Sequence, residues 1–242
     1  MTIPSSPVII PPTRRRSGRL AVFVVILAII AMAIVAIAPA FVRGAERRER
    51  RKALTPDKAV EGLRIPAFTL TTQTGEVVDA GIFQGHVTVL DFVFTNCTFV
   101  CPTLTQKMLY LQEQLAGTDC RFVSISVDPE RDTPERLAEH ARRIGADTAR
   151  WTFLTGPWDQ VLAISEGGLA LGLGPDPNPE NVIVLDDGST MQNISHTTRL
   201  VLIGPDGAVL GLYAGLEQAD VDRLAARAKI AADSHGNRAN RR

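Results

Sequence analysis

Residues Leu20 to Val42 run LAVFVVILAIIAMAIVAIAPAFV, twenty-three positions without a charge. As a helix this run reaches roughly 34 Å, against a bilayer core of about 30 Å. A soluble core helix keeps one polar face, and this run has none. It is expected to be a single transmembrane helix over 20–42. A cleaved signal is the competing reading, since Ala38-Pro39-Ala40 resembles a small-x-small cleavage site. Signal cores span only about 7–15 apolar residues, so an uncleaved anchor is expected instead.

The anchor divides the charge. Residues 1–55 hold ten Lys/Arg and two Asp/Glu, net +8. Residues 56–232 hold thirteen Lys/Arg and twenty-three Asp/Glu, net −10. A domain of that sign does not bind nucleic acid, where clustered cations are required. The expected organisation is a disordered basic tail over 1–19, the membrane helix over 20–42 and a charged stalk over 43–60. A globular domain over 61–232 and a loose polar tail over 233–242 complete it. Basic residues flank both ends of the apolar run, so charge alone does not orient it.

Within 61–232 strands and helices alternate. Phe68–Thr71 and Val77-Val78 form a hairpin about Thr74-Gly75. His86–Phe94 (HVTVLDFVF) is a two-sided central strand. Leu104, Met108, Leu111 and Leu115 make a helical stripe over Pro102–Leu115. Arg121–Val127 is a second buried strand, and Thr133-Pro134-Glu135 opens a helix with a hydroxyl cap and proline. Trp151–Leu154 is a strand and Pro157–Ile164 a short helix. A hairpin of Arg199–Ile203 and Val209–Tyr213 follows. The last helix, Leu216–Ala231, is expected to turn Leu224 and Ile230 inward. This order is that of an α/β, thioredoxin-like sandwich with an added N-terminal hairpin, preceded by one transmembrane helix.

The chemistry lies at Thr95-Asn96-Cys97-Thr98-Phe99-Val100-Cys101-Pro102. This segment leaves the central strand and opens a helix, at the sheet edge where α/β folds place ligands. Pro102 suits the first helical position, so the helix N-terminus favours thiolate at Cys101. Two thiolates so placed are a redox pair or a soft-metal clamp. Three intervening residues rather than two let both sulfurs face a common point. Copper would take an imidazole as third ligand. His86 starts the central strand at the wrong end. His140 sits among Glu139, Arg142 and Arg143, on what reads as a solvated face, and His235 lies in the tail. His196, just before the strand at Arg199, is the candidate. Asp128 and Asp132 lie near the same edge, either as partners of the site or as a helix-start turn. Cys120 reads as a core thiol, and Met108 as part of the helical stripe. The stretch Gly167–Gln192 reads as a long acidic loop. A peroxidase of the PxxxTxxC type is disfavoured, because Asp91 stands where the proline belongs and Thr98 where the cysteine belongs.

TNCTFVCP, SVDPERDTPERL at Ser126–Leu137, the late histidine before a strand and a GPDG turn, and the opening IPAFTLTTQTGEVV together resemble the SCO/SenC family of copper chaperones. The likeness covers about 61–232. It implies copper, as Cu(I) or Cu(II), held by Cys97, Cys101 and His196. It also implies delivery to the CuA-bearing subunit of cytochrome c oxidase or to another copper protein. That chemistry puts the C-terminal domain on the extracytoplasmic side of the cytoplasmic membrane. The alternative is a thiol–disulfide oxidoreductase in which Cys97 and Cys101 reduce the cysteines of a copper-protein target.

Overall fold

The protein is described here by a computed structural model covering residues 17–97, 101–185 and 187–239. The side chains of residues 17–21, 28, 39, 101 and 233–239 fall outside the description. Two compact units emerge, divided between Arg48 and Glu49.

In the first unit the chain forms α1 (Ser17–Ala53), whose last turns belong to the second unit. From Val22 onward it holds a segment long and apolar enough to cross a membrane, with a mean hydropathy of 3.1. The apolar side chains described from Val22 to Val42 are all exposed, so protein packing does not cover them.

The second unit is built on a seven-stranded sheet. Its strands are β1 (Leu70–Thr72), β2 (Val77–Val78), β3 (Thr88–Val93), β4 (Arg121–Ser126), β5 (Trp151–Thr155), β10 (Arg199–Ile203) and β11 (Val209–Ala214). Their order is β11-β10-β3-β4-β5-β1-β2. β3, β4 and β5 are mutually parallel, while β10 runs antiparallel to β3 and β11. Alternation along the strands sends side chains to two apolar layers. Val89, Phe122, Leu200 and Leu202 enter one; Leu90, Phe92, Val123, Ile125, Val201 and Ile203 enter the other. The first layer is covered by α2 (Cys101–Gln114), α3 (Pro134–Ile144) and α5 (Gln218–Ala239). The second is covered by Phe68, Phe83, α4 (Trp158–Leu162) and the π-helical stretch Ala163–Gly168 that continues it. This is the expected thioredoxin-like α/β sandwich with its N-terminal hairpin.

Several expectations need correction. On α5 the inward residues are Val221, Leu224, Ala228 and Ala231, whereas Ile230 is 39% exposed. At 100° per residue those four lie on one stripe and Ile230 stands well off it. His140 is buried rather than solvated, at 9% exposure. It shares the inner face of α3 with Leu137, Ala141 and Ile144 at i, i+3, i+4 and i+7; its charged sequence neighbours point elsewhere. The stretch expected as a loop folds into two small ribbons. β6 (Leu173–Pro175) pairs with β9 (Ile194–His196), and β7 (Val182–Val184) with β8 (Thr190–Gln192). Ile183 and Met191 face inward from the second ribbon, which ties it to the core.

Packing also begins before residue 61. Ala53 is buried, and Arg227 of α5 donates to the carbonyls of Ala53 (3.0 Å) and Thr55 (2.6 Å) and to the Asp57 carboxylate (2.9 Å). At the other end the backbone of α5 runs on to Ala239. No proline intervenes in 233–239, and extending a formed helix is far easier than starting one. Residues 1–16 and 240–242, expected as loose tails, lie outside the described residues.

Candidate metal centre

β3 is buried along its whole length and delivers the chain to the upper sheet edge at Phe94. Thr95, Asn96 and Cys97 follow, all half-buried. Cys97 packs at the margin of the second apolar layer, and its N–H donates to the Phe94 carbonyl at 3.2 Å. α2 then begins at Cys101, as the proline at position 102 suggests. The Cys101 side chain and residues 98–100 lie outside the described residues.

His196 ends β9, where it is paired in register with Leu173 of β6. Its ring stands edge-on to Phe94, with centroids 5.7 Å apart and planes at 82°. Nδ1 lies 2.9 Å from the Thr197 carbonyl oxygen. A carbonyl can only accept, so Nδ1 carries the proton and Nε2 the lone pair in the neutral ring. That is the tautomer an imidazole uses to ligate a metal through Nε2, with the other nitrogen anchored to backbone. The ring borders an open recess of about 470 Å³ lined by Glu166, Gly172, Gly174, Pro175 and Ser195 among others.

The structure therefore brings His196 against the residue three positions before Cys97. Among the described residues no group of three His, Cys, Asp or Glu side chains is assembled. Among the described side chains the other histidines, His86 and His140, are elsewhere. His86 Nδ1 pairs with Asp119 at 2.9 Å, before β3 begins. His140 sits edge-on to Phe153, with burial and the Arg143 and Arg136 charges pushing it down to about 4. Cys120 is a core thiol as expected, pushed up to about 12 by burial. Met108 is in the core.

Beneath the site, Asp91 is buried within β3. Its Oδ1 accepts from the Ser124 hydroxyl at 2.5 Å, and Ser124 accepts in turn from Trp151 Nε1 at 2.9 Å. Burial pushes the carboxyl up to about 6, while the Ser124 hydroxyl and the His196 charge hold it back.

Asp128 and Asp132 part ways. The cap of α3 is Thr133, which accepts from Arg136 N–H. Asp132 turns under the site instead, where it accepts from Thr95 N–H and from the Thr95 and Ser126 hydroxyls. Asp128 binds Arg131 at 2.9 Å. Sequence reasoning passed over Phe94, Thr95 and Arg136. For Thr95 and Arg136 the available signal was membership of the TNC and DPERDTPER segments, because their contact joins residues 41 positions apart, and Phe94 read only as the end of the central strand.

Residues 57–232 match the family model SCO1/SenC. The SCO1 protein homolog of Bacillus subtilis is 34% identical over 169 residues, covering 69% of this chain and 82% of that protein. The solved structure of BsSco, described as a Sco family member with a disulfide switch, is 29% identical with a TM-score of 0.57, covering 74% of this chain and 97% of that one. Bradyrhizobium japonicum ScoI, solved with copper bound, shares the fold at 23% identity and a TM-score of 0.55, over 68% of this chain and 96% of that one. Fold, motif order and sequence agree, and the chain belongs to the SCO1/SenC family.

Proposed function

We propose that the protein is a membrane-anchored copper chaperone. Cys97, Cys101 and His196 bind the ion, and the cargo is delivered to the CuA centre of cytochrome c oxidase. Two thiolates with one imidazole suit Cu(I) and also accept Cu(II). A site of three ligands at a sheet edge suits transfer, because an acceptor can replace them one at a time. α1 serves as the anchor, and the C-terminal domain works on the extracytoplasmic side of the cytoplasmic membrane. Membership of a family that includes BsSco, named among cytochrome c oxidase assembly proteins, supports the target.

The observation that carries the copper reading is the contact between His196 and Phe94, whose carbonyl receives the Cys97 N–H. It supports a site shared by the imidazole of β9 and the thiol that follows β3. Copper titration of the reduced full chain tests this, with Cys97→Ala, Cys101→Ala and His196→Ala each expected to weaken one-to-one binding. Undiminished stoichiometric binding in the His196 variant removes the third ligand.

A second reading is favoured by the disulfide switch of BsSco. Here Cys97 and Cys101 act as a thiol–disulfide oxidoreductase on a copper-protein target. It needs no histidine, so His196→Ala leaves it intact. The reduction potential against glutathione discriminates, since a strongly reducing, slowly exchanging pair argues against turnover.

A further inference from the structure

The segment Asp128–Arg136 supplies no ligand in the reading above, yet it grips the residues that lead into Cys97. Asp132 is fully buried. Its carboxylate accepts from Thr95 N–H at 3.1 Å, from the Thr95 hydroxyl at 2.5 Å and from the Ser126 hydroxyl at 2.6 Å. Ser126 Oγ in turn accepts from Asp128 N–H at 3.0 Å. From the first turn of α3, Arg136 Nε donates to the Thr95 hydroxyl oxygen at 2.7 Å, and its Nη2 donates to Asn96 Oδ1 at 2.5 Å. The Thr95 hydroxyl thus links the two side chains, donating to Asp132 and accepting from Arg136.

A guanidinium holds its donors in a rigid plane, so two bonds from one fork fix direction as well as distance. Here the fork engages two consecutive residues, and Cys97 is the next. A staple that served only the fold could end on Ser126 and Thr95, as Asp132 does. The Arg136 fork reaches one residue farther, to a side chain adjoining the thiol.

We propose that Arg136, seated by Asp132 through the Thr95 hydroxyl, is a positioning residue for Cys97. It sets the direction in which the chain leaves β3 and hence where the sulfur stands. The proposal rests on Cys97 being the working thiol of the site. Residues that orient a ligand from behind typically change metal affinity by about 10- to 100-fold when removed.

The test uses the reduced full chain in detergent micelles, with Arg136→Ala, Arg136→Lys and Thr95→Val beside the parent. Three quantities are read: the iodoacetamide alkylation rate at Cys97 by peptide mass spectrometry, the affinity for Cu(I) against a chromogenic chelator, and the thermal midpoint. Arg136→Ala and Thr95→Val are expected to change the alkylation rate by about threefold or more and to weaken Cu(I) binding about tenfold. The midpoint of the half-buried Arg136 variants is expected to stay close to the parent. Arg136→Lys keeps the charge without the fork, and is expected to recover only part of the loss. Full recovery by lysine makes the effect one of charge and overturns the proposal. So does unchanged Cys97 reactivity, whether the midpoint holds or falls, because the contacts then serve the fold alone. If the parent binds no Cu(I) while Arg136→Ala still alters Cys97 alkylation, the copper reading fails and the positioning role stands.

Discussion

Replacing Asp91 with asparagine separates two buried groups whose protonation acts on stability in opposite directions. Asp91 titrates at about 6 in the folded chain, against an ordinary value of 3.8. Between those values the folded state holds a proton that the unfolded state has released. Its stabilising contribution is complete below about pH 4 and disappears as pH rises through about 6, a change of roughly 3 kcal/mol. His140 is the mirror case, at about 4 against 6.5. Its contribution is complete above pH 6.5 and is lost as pH falls through about 4. Allowing for residual solvation of the ring, that is about 2 kcal/mol. The two slopes largely cancel in the parent. Asp91→Asn removes one, so the stability of the variant relative to the parent rises by roughly 3 kcal/mol between pH 4 and 7. The variant alone becomes steadily more stable over that range. Urea unfolding in micelles at half-unit pH steps reads this directly, through the fluorescence of Trp151, which hydrogen-bonds to the Ser124 hydroxyl held by Asp91. A difference curve flat to within about 0.5 kcal/mol from pH 4 to 7 refutes the reasoning, because it means that Asp91 ionises normally in the folded protein.

Three further outcomes follow from the packing. Arg227→Ala removes the bonds from α5 to Ala53, Thr55 and Asp57, and about 1–3 kcal/mol of unfolding free energy should go with them. Protease cleavage should then rise first near residue 55. Phe94→Ala empties a buried ring site and should cost about 3–5 kcal/mol by urea unfolding, with weakened copper binding from a displaced His196. Gly215→Ala would set a Cβ 2.6 Å from the Thr198 carbonyl oxygen and 2.4 Å from Leu104 Cδ1, and should lower stability by about 1–3 kcal/mol despite the higher intrinsic preference for alanine.

The sequence alone determined whatever depends on neighbours along the chain. The apolar run at 20–42 is legible as a candidate membrane span, since no charge interrupts it. Strand and helix followed from periods of two and 3.6, and Pro102 marked the start of α2 to within a residue. The thiols declared themselves because two cysteines flank one strand–helix junction. What folding alone decided are the meetings between distant segments. Ile230 and His140 were misplaced because a helical stripe is settled by the layer it packs on, and a few charged neighbours do not reveal that layer. Asp132 read equally as a partner of the site or as a helix-start turn until β4 and the end of β3 were laid side by side, which turned its carboxylate onto Thr95. His196 could be chosen by elimination, but its seat on Phe94 depends on β6 pairing with β9 across the intervening residues 176–193, most of which read as loop. Local propensity is written in adjacent residues; the direction of a side chain in a core is set by surfaces that arrive from elsewhere in the chain.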